Sequence, residues 1–204
     1  MIKIAILGDI GSGKSFVAKT FGYPVFNADE EVSKLYKKEK KIFNKLKKEL
    51  PNYIFSFPIK KKEITKAILS DNQNLKKIVK IVHPEIQKKM KLFIKKNKHK
   101  KVVILDIPLL LENKINQKED FLIFIRSKKL EIMKRLKKRE NFNKKLLKKF
   151  KNIQLPLDYK KKKSDFIIKN DFTKKTLKKS IKLILKKILN ERNSFRHRNY
   201  RHIS

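Results

Sequence analysis

The chain has 204 residues, of which 40% are hydrophobic, so it is long enough to form one large domain around a packed core. It contains no cysteine, which excludes disulfide bonds, thiolate catalysis and cysteine-ligated metal sites. The formal net charge of +38 comes mainly from lysines spread along every predicted helix, which favours A+T-biased coding with solvated lysine faces over a dedicated nucleic-acid surface.

The first predicted strand, residues 2–7, is apolar and rich in isoleucine. It leads into Gly8-Asp9-Ile10-Gly11-Ser12-Gly13-Lys14-Ser15 and then into a predicted helix from about residue 14. In such a loop the glycines turn backbone N–H groups toward phosphate oxygens, the lysine reaches the β- and γ-phosphates, and the serine hydroxyl ligates Mg²⁺. A chance glycine-rich turn is the alternative, but the strand–loop–helix context favours a nucleotide phosphate site.

The next segments predict one short strand followed by helices. Residues 24–27 form the strand, and apolar residues at helical spacing predict one helix from about 32 to 50, ended by Pro51. A short helix is expected at about 64–69. A longer one is expected at about 78–93, with an interruption at His83-Pro84.

The second half of the chain alternates strands and helices. Strands are predicted at 102–106, 121–125 and 166–168, and helices at about 128–139 and 177–188. The tail 192–204 is basic and polar, and we expect it to be disordered. Apolar strands alternating with helices predict an α/β fold with a parallel sheet of about five strands covered on both faces.

Several polar residues are predicted to gather where such a sheet binds its ligand, beyond the carboxyl ends of the strands. Asp29 is expected either to accept a hydrogen bond from an acceptor hydroxyl or to cap the helix that follows it. Asp106 is expected either to hold Mg²⁺ through water or to be an ordinary turn residue at the end of a strand. Arg135 and Arg139, four residues apart on one predicted helix, either close over a triphosphate or lie on a solvated face.

A family resemblance rests on segments that occur in one order over roughly residues 2–190. They are the loop at 6–15, Pro24-Val25-Phe26-Asn27-Ala28-Asp29, His83-Pro84-Glu85-Ile86, Leu105-Asp106-Ile107-Pro108-Leu109-Leu110-Leu111-Glu112, Arg135 with Arg139, Gln154-Leu155-Pro156, and 164–170. The phosphate loop is shared by many enzymes, whereas the His-Pro step and the run from 105 to 112 are far more particular. In these segments the chain resembles the dephospho-coenzyme A kinases.

The resemblance implies a phosphate-loop kinase fold in a single domain, 1–191. Its core would be 1–35, 99–137 and 164–191, with a helical substrate-binding region at about 36–98 and a lid at about 138–163. It implies ATP as phosphoryl donor, Mg²⁺ as cofactor, and transfer to the ribose 3′-hydroxyl of dephospho-coenzyme A, the last step of coenzyme A synthesis.

Residue roles carry over by position in the resemblance. The catalytic group would be Lys14, Asp29 as base or hydroxyl-orienting residue, and Arg139 as a lid contact to phosphate. ATP would be bound by Gly11, Ser12, Gly13, Lys14, Ser15, Phe16 and Asn170, the last of these near the adenine. The acceptor site would be shaped by His83, Pro84, Pro108, Leu109 and Glu112, and the metal would be held by Ser15 and Asp106.

Four positions depart from the family pattern. Asp9 stands where the family has Gly, and Phe16 where it has Thr, so only the backbone N–H of Phe16 would serve the α-phosphate. Asn27 replaces the first Asp of an Asp-Ala-Asp motif. Phe150 replaces a lid Arg, and the neighbouring lysines cannot reproduce the bidentate fork of arginine. We expect this loss to lower the rate without changing the reaction.

Two other functions are compatible with the sequence. A nucleoside monophosphate kinase of the same loop class is one, although the His-Pro step and the run at 108–112 favour the coenzyme. A basic nucleic-acid-binding protein that retains a nucleotide site is the other. The first residues lead directly into a strand, and no apolar run approaches about 18 residues. We therefore expect a cytoplasmic monomer or weak oligomer with no membrane partner and no specific nucleic-acid partner.

Overall fold

The β-branched runs of the sequence form the strands of a computed structural model, which describes residues 1–113, 115–117, 119–140 and 142–200, with side chains described as far as Asn190. The strands are β1 (Ile2–Gly8), β2 (Val25–Asn27), β3 (Val102–Asp106), β4 (Phe121–Arg126) and β5 (Phe166–Lys169). The helices are α1 (Lys14–Thr20), α2 (Ala28–Lys38), α3 (Lys40–Glu49), α4 (Lys61–Ser70), α5 (Asn72–Lys96), α6 (Lys129–Lys137), α7 (Lys144–Asn152), α8 (Leu157–Lys162) and α9 (Lys174–Tyr200).

The strands form one parallel sheet in the order β2-β3-β1-β4-β5 over the described residues. In the register, Ile4 of β1 lies opposite Ile104 of β3 on one side and Phe121 of β4 on the other. The central strands are buried along almost their whole length, because helices cover both faces of a parallel sheet. The predicted α/β fold with a five-stranded parallel sheet is confirmed.

The core of the sheet is built from isoleucines and leucines of the strands and of the helices that cover them. Ile4 and Ile104 are fully buried, and so are Val17 of α1 and Leu177 and Ile188 of α9. Removing one such side chain typically costs about 2–5 kcal/mol. The short α1 is therefore stabilised mainly by packing, since a helix of seven residues is marginal by itself.

The chain forms two compact units. The sheet unit comprises Ile2–Val25, Val102–Arg139 and Leu155–Ser204. The helical unit comprises Met1, Phe26–Lys101 and Glu140–Gln154. Within the helical unit, the ammonium of Lys149 on α7 donates hydrogen bonds of 2.8 Å and 3.2 Å to the carbonyls of Ile68 and Leu69. These are among the last carbonyls of α4, so α7 supplies partners that a helix end lacks.

Two helix predictions for the helical unit are wrong. The helix expected from 32 to 50 is broken at Glu39, whose extended backbone separates α2 from α3. The interruption expected at His83-Pro84 does not occur, because α5 runs through Pro84. The buried side chains of Ile78, Val82 and Ile86 lie on both sides of that proline, and their packing outweighs its missing N–H group.

The final helix is longer than the sequence indicates. Helix α9 extends to Tyr200, beyond residue 188, where the predicted helix ends, and 201–204 lie outside the described residues. The expected disorder of the tail 192–204 stays a prediction. Among the residues that the structure describes, none of the helices is both long enough and apolar enough to cross a membrane.

Candidate active site

The loop between β1 and α1 has the backbone of a phosphate site. Gly13 adopts φ 88° at the start of α1, where a Cβ atom would lie 2.4 Å from Nδ2 of Asn170. Only glycine fits this position, because both the backbone conformation and the space exclude a side chain. Gly13, the N-cap residue of α1, offers no side chain to the first N–H groups of the helix, which include that of the half-exposed Phe16.

Lys14 is folded back over the loop. Its side chain is buried, and Nζ donates hydrogen bonds to the carbonyls of Gly8 at 3.2 Å and of Asp9 at 2.8 Å. A buried ammonium needs such partners, because its desolvation is costly. The carboxylate of Asp9 accepts a hydrogen bond from the N–H of Ile10 at 2.7 Å. The backbone of the loop therefore fixes the position of the Lys14 ammonium.

The ends of β4 and β5 hold the loop in place through the carbonyl of Ser12. This carbonyl accepts hydrogen bonds from Oγ of Ser127 at 3.0 Å and from Nδ2 of Asn170 at 2.9 Å. The amide oxygen of the buried Asn170 accepts from the N–H of Phe172 at 3.0 Å. The structure thus gives Asn170 a supporting role in the loop, and its contact with adenine stays a prediction. Gly11, which directly precedes Ser12, leaves no room for a side chain against Leu136 of α6.

Phe172 is a feature that the sequence did not reveal. It adopts φ 64°, a conformation that is strained for a bulky residue. The carboxylate of Asp171 accepts hydrogen bonds from the N–H and Oγ1 of Thr173 and from Oγ1 of Thr176, which hold this turn and lower the pKa of Asp171. The ring lies 4.2 Å from the guanidinium carbon of Arg135. No sequence signal marks a phenylalanine for this backbone conformation.

The two predicted lid arginines do not share a helix face. Arg135 lies in the last turn of α6, but the helix ends at Lys137, so Arg139 follows it in a turn. The expectation of an i,i+4 pair on one helix is therefore wrong, and the physical reason is the early end of α6. Both side chains are exposed, and Arg135 is stacked on Phe172.

The residues predicted to hold a metal fit Mg²⁺ in their chemistry. Ser15 is exposed at the start of α1, and the buried Asp106 ends β3. Because β3 is the parallel neighbour of β1, the loop and Asp106 lie at the same edge of the sheet. Within the described part of the chain, no cluster of three or more potential metal ligands occurs. One hydroxyl and one carboxylate suit Mg²⁺, which keeps several waters and takes other oxygens from phosphates.

The start of α2 tests whether Asp29 caps this helix. The cap of α2 is Asn27, whose side-chain oxygen accepts a hydrogen bond from the N–H of Glu30 at 2.9 Å. Asp29 lies inside the first turn of the helix, and its side chain is exposed. The helix-cap interpretation of Asp29 is therefore wrong, and Asn27 has a structural role of its own.

Two further predicted acceptor residues lie inside α5 in the helical unit. His83 is half-buried, and its Nε2 atom is buried without a hydrogen-bond partner among the described residues. Pro84 is exposed on the same helix. An imidazole nitrogen of this kind can bind a polar group of a ligand, because burial without a partner is costly.

The turn after β3 contains the remaining predicted acceptor residues, Pro108, Leu109 and Glu112, all in the sheet unit. The carbonyl of Leu109 accepts hydrogen bonds from the backbone and side-chain amides of Asn113. Oε1 of Glu112 lies 2.5 Å from Nζ of Lys160 and accepts from the N–H of Leu155 at 3.0 Å. No pattern in the sequence distinguishes Lys160, which stands in a run of four lysines.

Comparisons with known proteins agree with these observations. A family model described as dephospho-CoA kinase matches residues 2–176. The dephospho-CoA kinase of Wolbachia sp. subsp. Brugia malayi is 36% identical over 187 residues, which cover 89% of this chain and 95% of that protein. The solved structure of TT1252 from Thermus thermophilus is 25% identical with a TM-score of 0.71, over 91% of this chain and 97% of that one. The dephospho-CoA kinase from Campylobacter jejuni, 22% identical over 92% and 98% of the two chains, shares the fold with a TM-score of 0.57.

Three observations agree: the family model matches most of the sequence, a relative is more than 30% identical, and the phosphate loop has the expected backbone. This chain belongs to the dephospho-CoA kinase family.

Proposed function

We propose that this chain transfers the γ-phosphoryl group of ATP to the ribose 3′-hydroxyl of dephospho-coenzyme A, giving coenzyme A and ADP. Membership of the dephospho-CoA kinase family supports the reaction. The single observation that carries the proposal within this chain is Lys14, a buried ammonium held over the phosphate loop by two carbonyl oxygens.

On the donor side, the backbone N–H groups of Gly11, Ser12, Gly13 and Lys14 would bind phosphate oxygens. Lys14 would exchange its hydrogen bonds with the carbonyls of Gly8 and Asp9 for contacts with the β- and γ-phosphates. Such a charge stabilises the transfer when it contacts oxygens that gain negative charge. Ser15 and Asp106 would hold Mg²⁺, which supplies further charge neutralisation when it is bound.

On the acceptor side, Asp29 would orient the 3′-hydroxyl and accept its proton. The hydroxyl oxygen forms a bond to the γ-phosphorus while the bond from that phosphorus to the β–γ bridging oxygen breaks, and ADP leaves. Because Asn27 caps α2, the carboxylate of Asp29 is not required for that task. Geometry decides this role, and a raised pKa is not needed.

The remaining roles follow the family by position. Arg139 would contact the transferred phosphoryl group, and Arg135 on Phe172 would lie beside the nucleotide. His83, Pro84, Pro108, Leu109 and Glu112 would contact or shape the acceptor. The Nε2 atom of His83, which has no hydrogen-bond partner in the part of the chain that the structure describes, supports a polar contact at that residue.

Coupled ADP release tests the proposal. Purified protein with ATP and Mg²⁺ is assayed with dephospho-coenzyme A and, in parallel, with AMP and CMP as acceptors. We expect turnover with dephospho-coenzyme A at least a hundred times that with either nucleoside monophosphate. Equal or greater turnover with a nucleoside monophosphate would contradict the proposed acceptor.

A further inference from the structure

Lys160 is exceptional among the lysines of this chain. Lys14 and Lys160 are the two buried ones among the lysines whose side chains the structure describes, and Lys160 is only 1% exposed. The others have contact with water, as expected for solvated faces. Burial of an ammonium is costly unless a charged partner compensates it. Lys14 lies at the phosphate loop, where its burial has a functional reason. The burial of Lys160 has no such reason in the proposed function.

The partner of Lys160 is Glu112, whose side chain is 10% exposed. Nζ of Lys160 lies 2.5 Å from Oε1 of Glu112, and the same oxygen accepts from the N–H of Leu155 at 3.0 Å. The backbone of Lys160 is itself fixed in α8, because its N–H donates to the carbonyl of Pro156 at 3.1 Å. One carboxylate oxygen of Glu112 is therefore fully used, and the side chain is held in one orientation.

Oε2 of Glu112 is buried and has no hydrogen-bond partner among the described residues. A buried acceptor without a donor is costly, and folded proteins seldom keep one. A pair of well-packed apolar side chains would stabilise this part of the fold at least as well. Stability alone thus does not explain the arrangement, whereas a donor brought by a ligand does.

The chemistry of the pair restricts that donor. The charge of Glu112 is balanced by Lys160, so Oε2 is an acceptor in a locally neutral pair. Such an oxygen suits an uncharged donor, a hydroxyl or an amide N–H, better than it suits a second cation. Glu112 also lies in the turn that follows β3, at the carboxyl edge of the sheet where ligands bind.

We propose that Lys160 is a positioning residue that holds and neutralises Glu112, so that Oε2 of Glu112 accepts a hydrogen bond from a hydroxyl or amide group of the acceptor substrate. The inference rests on the proposed function for the identity of that acceptor. Lys160 itself contacts no substrate; it acts through Glu112.

Steady-state kinetics of three variants test the inference. In Glu112→Gln, the amide oxygen is expected to remain toward Lys160 and Leu155, which places an NH₂ donor at the position of Oε2. We expect the KM for dephospho-coenzyme A to rise at least tenfold, with the KM for ATP changed less than twofold. In Lys160→Met, the carboxylate of Glu112 loses its charged partner. We expect the KM for dephospho-coenzyme A to rise in the same way, the KM for ATP to change little, and the melting temperature to fall.

The double variant Lys160→Met/Glu112→Gln keeps the test decisive if a single variant does not fold. It removes the two charges together, so we expect it to fold with a melting temperature near that of the wild type and still to show the raised acceptor KM. The matched control is Lys161→Met, a change to an exposed neighbour on α8 that we expect to leave every constant within twofold.

The outcomes separate this inference from the proposed function. If the wild type turns over dephospho-coenzyme A while the double variant and Glu112→Gln keep its acceptor KM, Lys160 and Glu112 are structural and the inference is overturned. A fall in kcat or stability with unchanged acceptor KM overturns it in the same way. A wild type that does not phosphorylate dephospho-coenzyme A would instead refute the proposed function.

Discussion

The phosphate loop and the turn after β3 follow neighbouring parallel strands, yet they fix their charged groups in different ways. Lys14 donates to carbonyls of its own loop, five and six residues away. Glu112 is held by Lys160 and Leu155, which lie more than forty residues farther along the chain. The charged group of the loop is thus held by local backbone carbonyls, whereas that of the turn depends on a long-range ion pair.

This difference sets what each region tolerates. A loop built on backbone geometry is sensitive to its glycines and to the one side chain that carries its charge. A turn built on a buried pair is sensitive to the removal of one partner, which leaves the other uncompensated. A single substitution can therefore impair the phosphate loop and leave the turn after β3 intact, or the reverse.

The largest effect is expected from Lys14→Ala. Loss of the ammonium removes charge stabilisation of the transferred phosphoryl group, and we expect kcat/KM to fall about a thousandfold. Turnover of ATP with dephospho-coenzyme A measures it, and circular dichroism checks the fold. The control is Lys19→Ala, at the exposed far end of α1, which we expect to stay within threefold of the wild type. Near-normal activity in a folded Lys14→Ala protein would contradict the role of the loop.

A smaller loss of activity is expected from Asp29→Asn, a change on the acceptor side of the proposed reaction. The amide cannot accept the proton of the hydroxyl, so we expect kcat to fall about a hundredfold with little change in the KM for ATP. Glu30→Gln, in the same first turn of α2, is the matched control and should keep its kcat. Full kcat with reduced stability in Asp29→Asn would mean that Asp29 has a structural role only.

Two glycines that follow β1 are expected to contribute differently to stability. Gly13 and Gly22 both have positive φ, but a Cβ atom at Gly13 would meet Asn170, whereas nothing lies within 4 Å at Gly22. We expect Gly22→Ala to lower the free energy of unfolding by about 1 kcal/mol through backbone strain alone. Gly13→Ala should lower it by about 3 kcal/mol and also raise the KM for ATP.

Urea denaturation of both glycine variants measures the difference. Equal losses would show that the crowding between Gly13 and Asn170 is relieved at little cost. That result would make the loop less dependent on its long-range support than the hydrogen bonds of Asn170 indicate.

The smallest effect concerns the solvated lysines. If they serve solubility and reflect coding bias, binding to RNA should be weak, independent of RNA sequence and lost by roughly 200 mM salt. Fluorescence anisotropy with two unrelated RNAs across a salt series measures it. Tight binding that persists at that salt concentration would assign the lysine faces a nucleic-acid partner.

The sheet and the phosphate loop were predictable because their signals are local. An apolar run such as 102–106 identifies a buried strand, and the spacing of Gly8, Gly13 and Lys14 identifies the loop. Two other features could not be predicted from the sequence, because tertiary packing decided both: the break between α2 and α3 at Glu39, and the continuity of α5 through Pro84. Helix α6 also ended before Arg139, a boundary that periodicity does not fix.

In the candidate site, too, local features could be predicted from the sequence and features that depend on tertiary contacts could not. The residues of the loop lie where the sequence predicted them. Asn27 as the cap of α2, Phe172 with positive φ and the buried Lys160 were not predicted, because each depends on contacts that the fold creates. A run of four lysines contains nothing that marks the first one as buried.

The position of the new phosphate is the most direct test of transfer to the ribose 3′-hydroxyl. Dephospho-coenzyme A is incubated with ATP, Mg²⁺ and the purified protein, and the product is analysed by ³¹P nuclear magnetic resonance beside authentic coenzyme A. We expect one new phosphomonoester, on the ribose 3′-oxygen, formed in equal amount to ADP, and formed about a thousand times more slowly with Lys14→Ala. A phosphate on any other oxygen, or ADP formed without a phosphorylated acceptor, would contradict it.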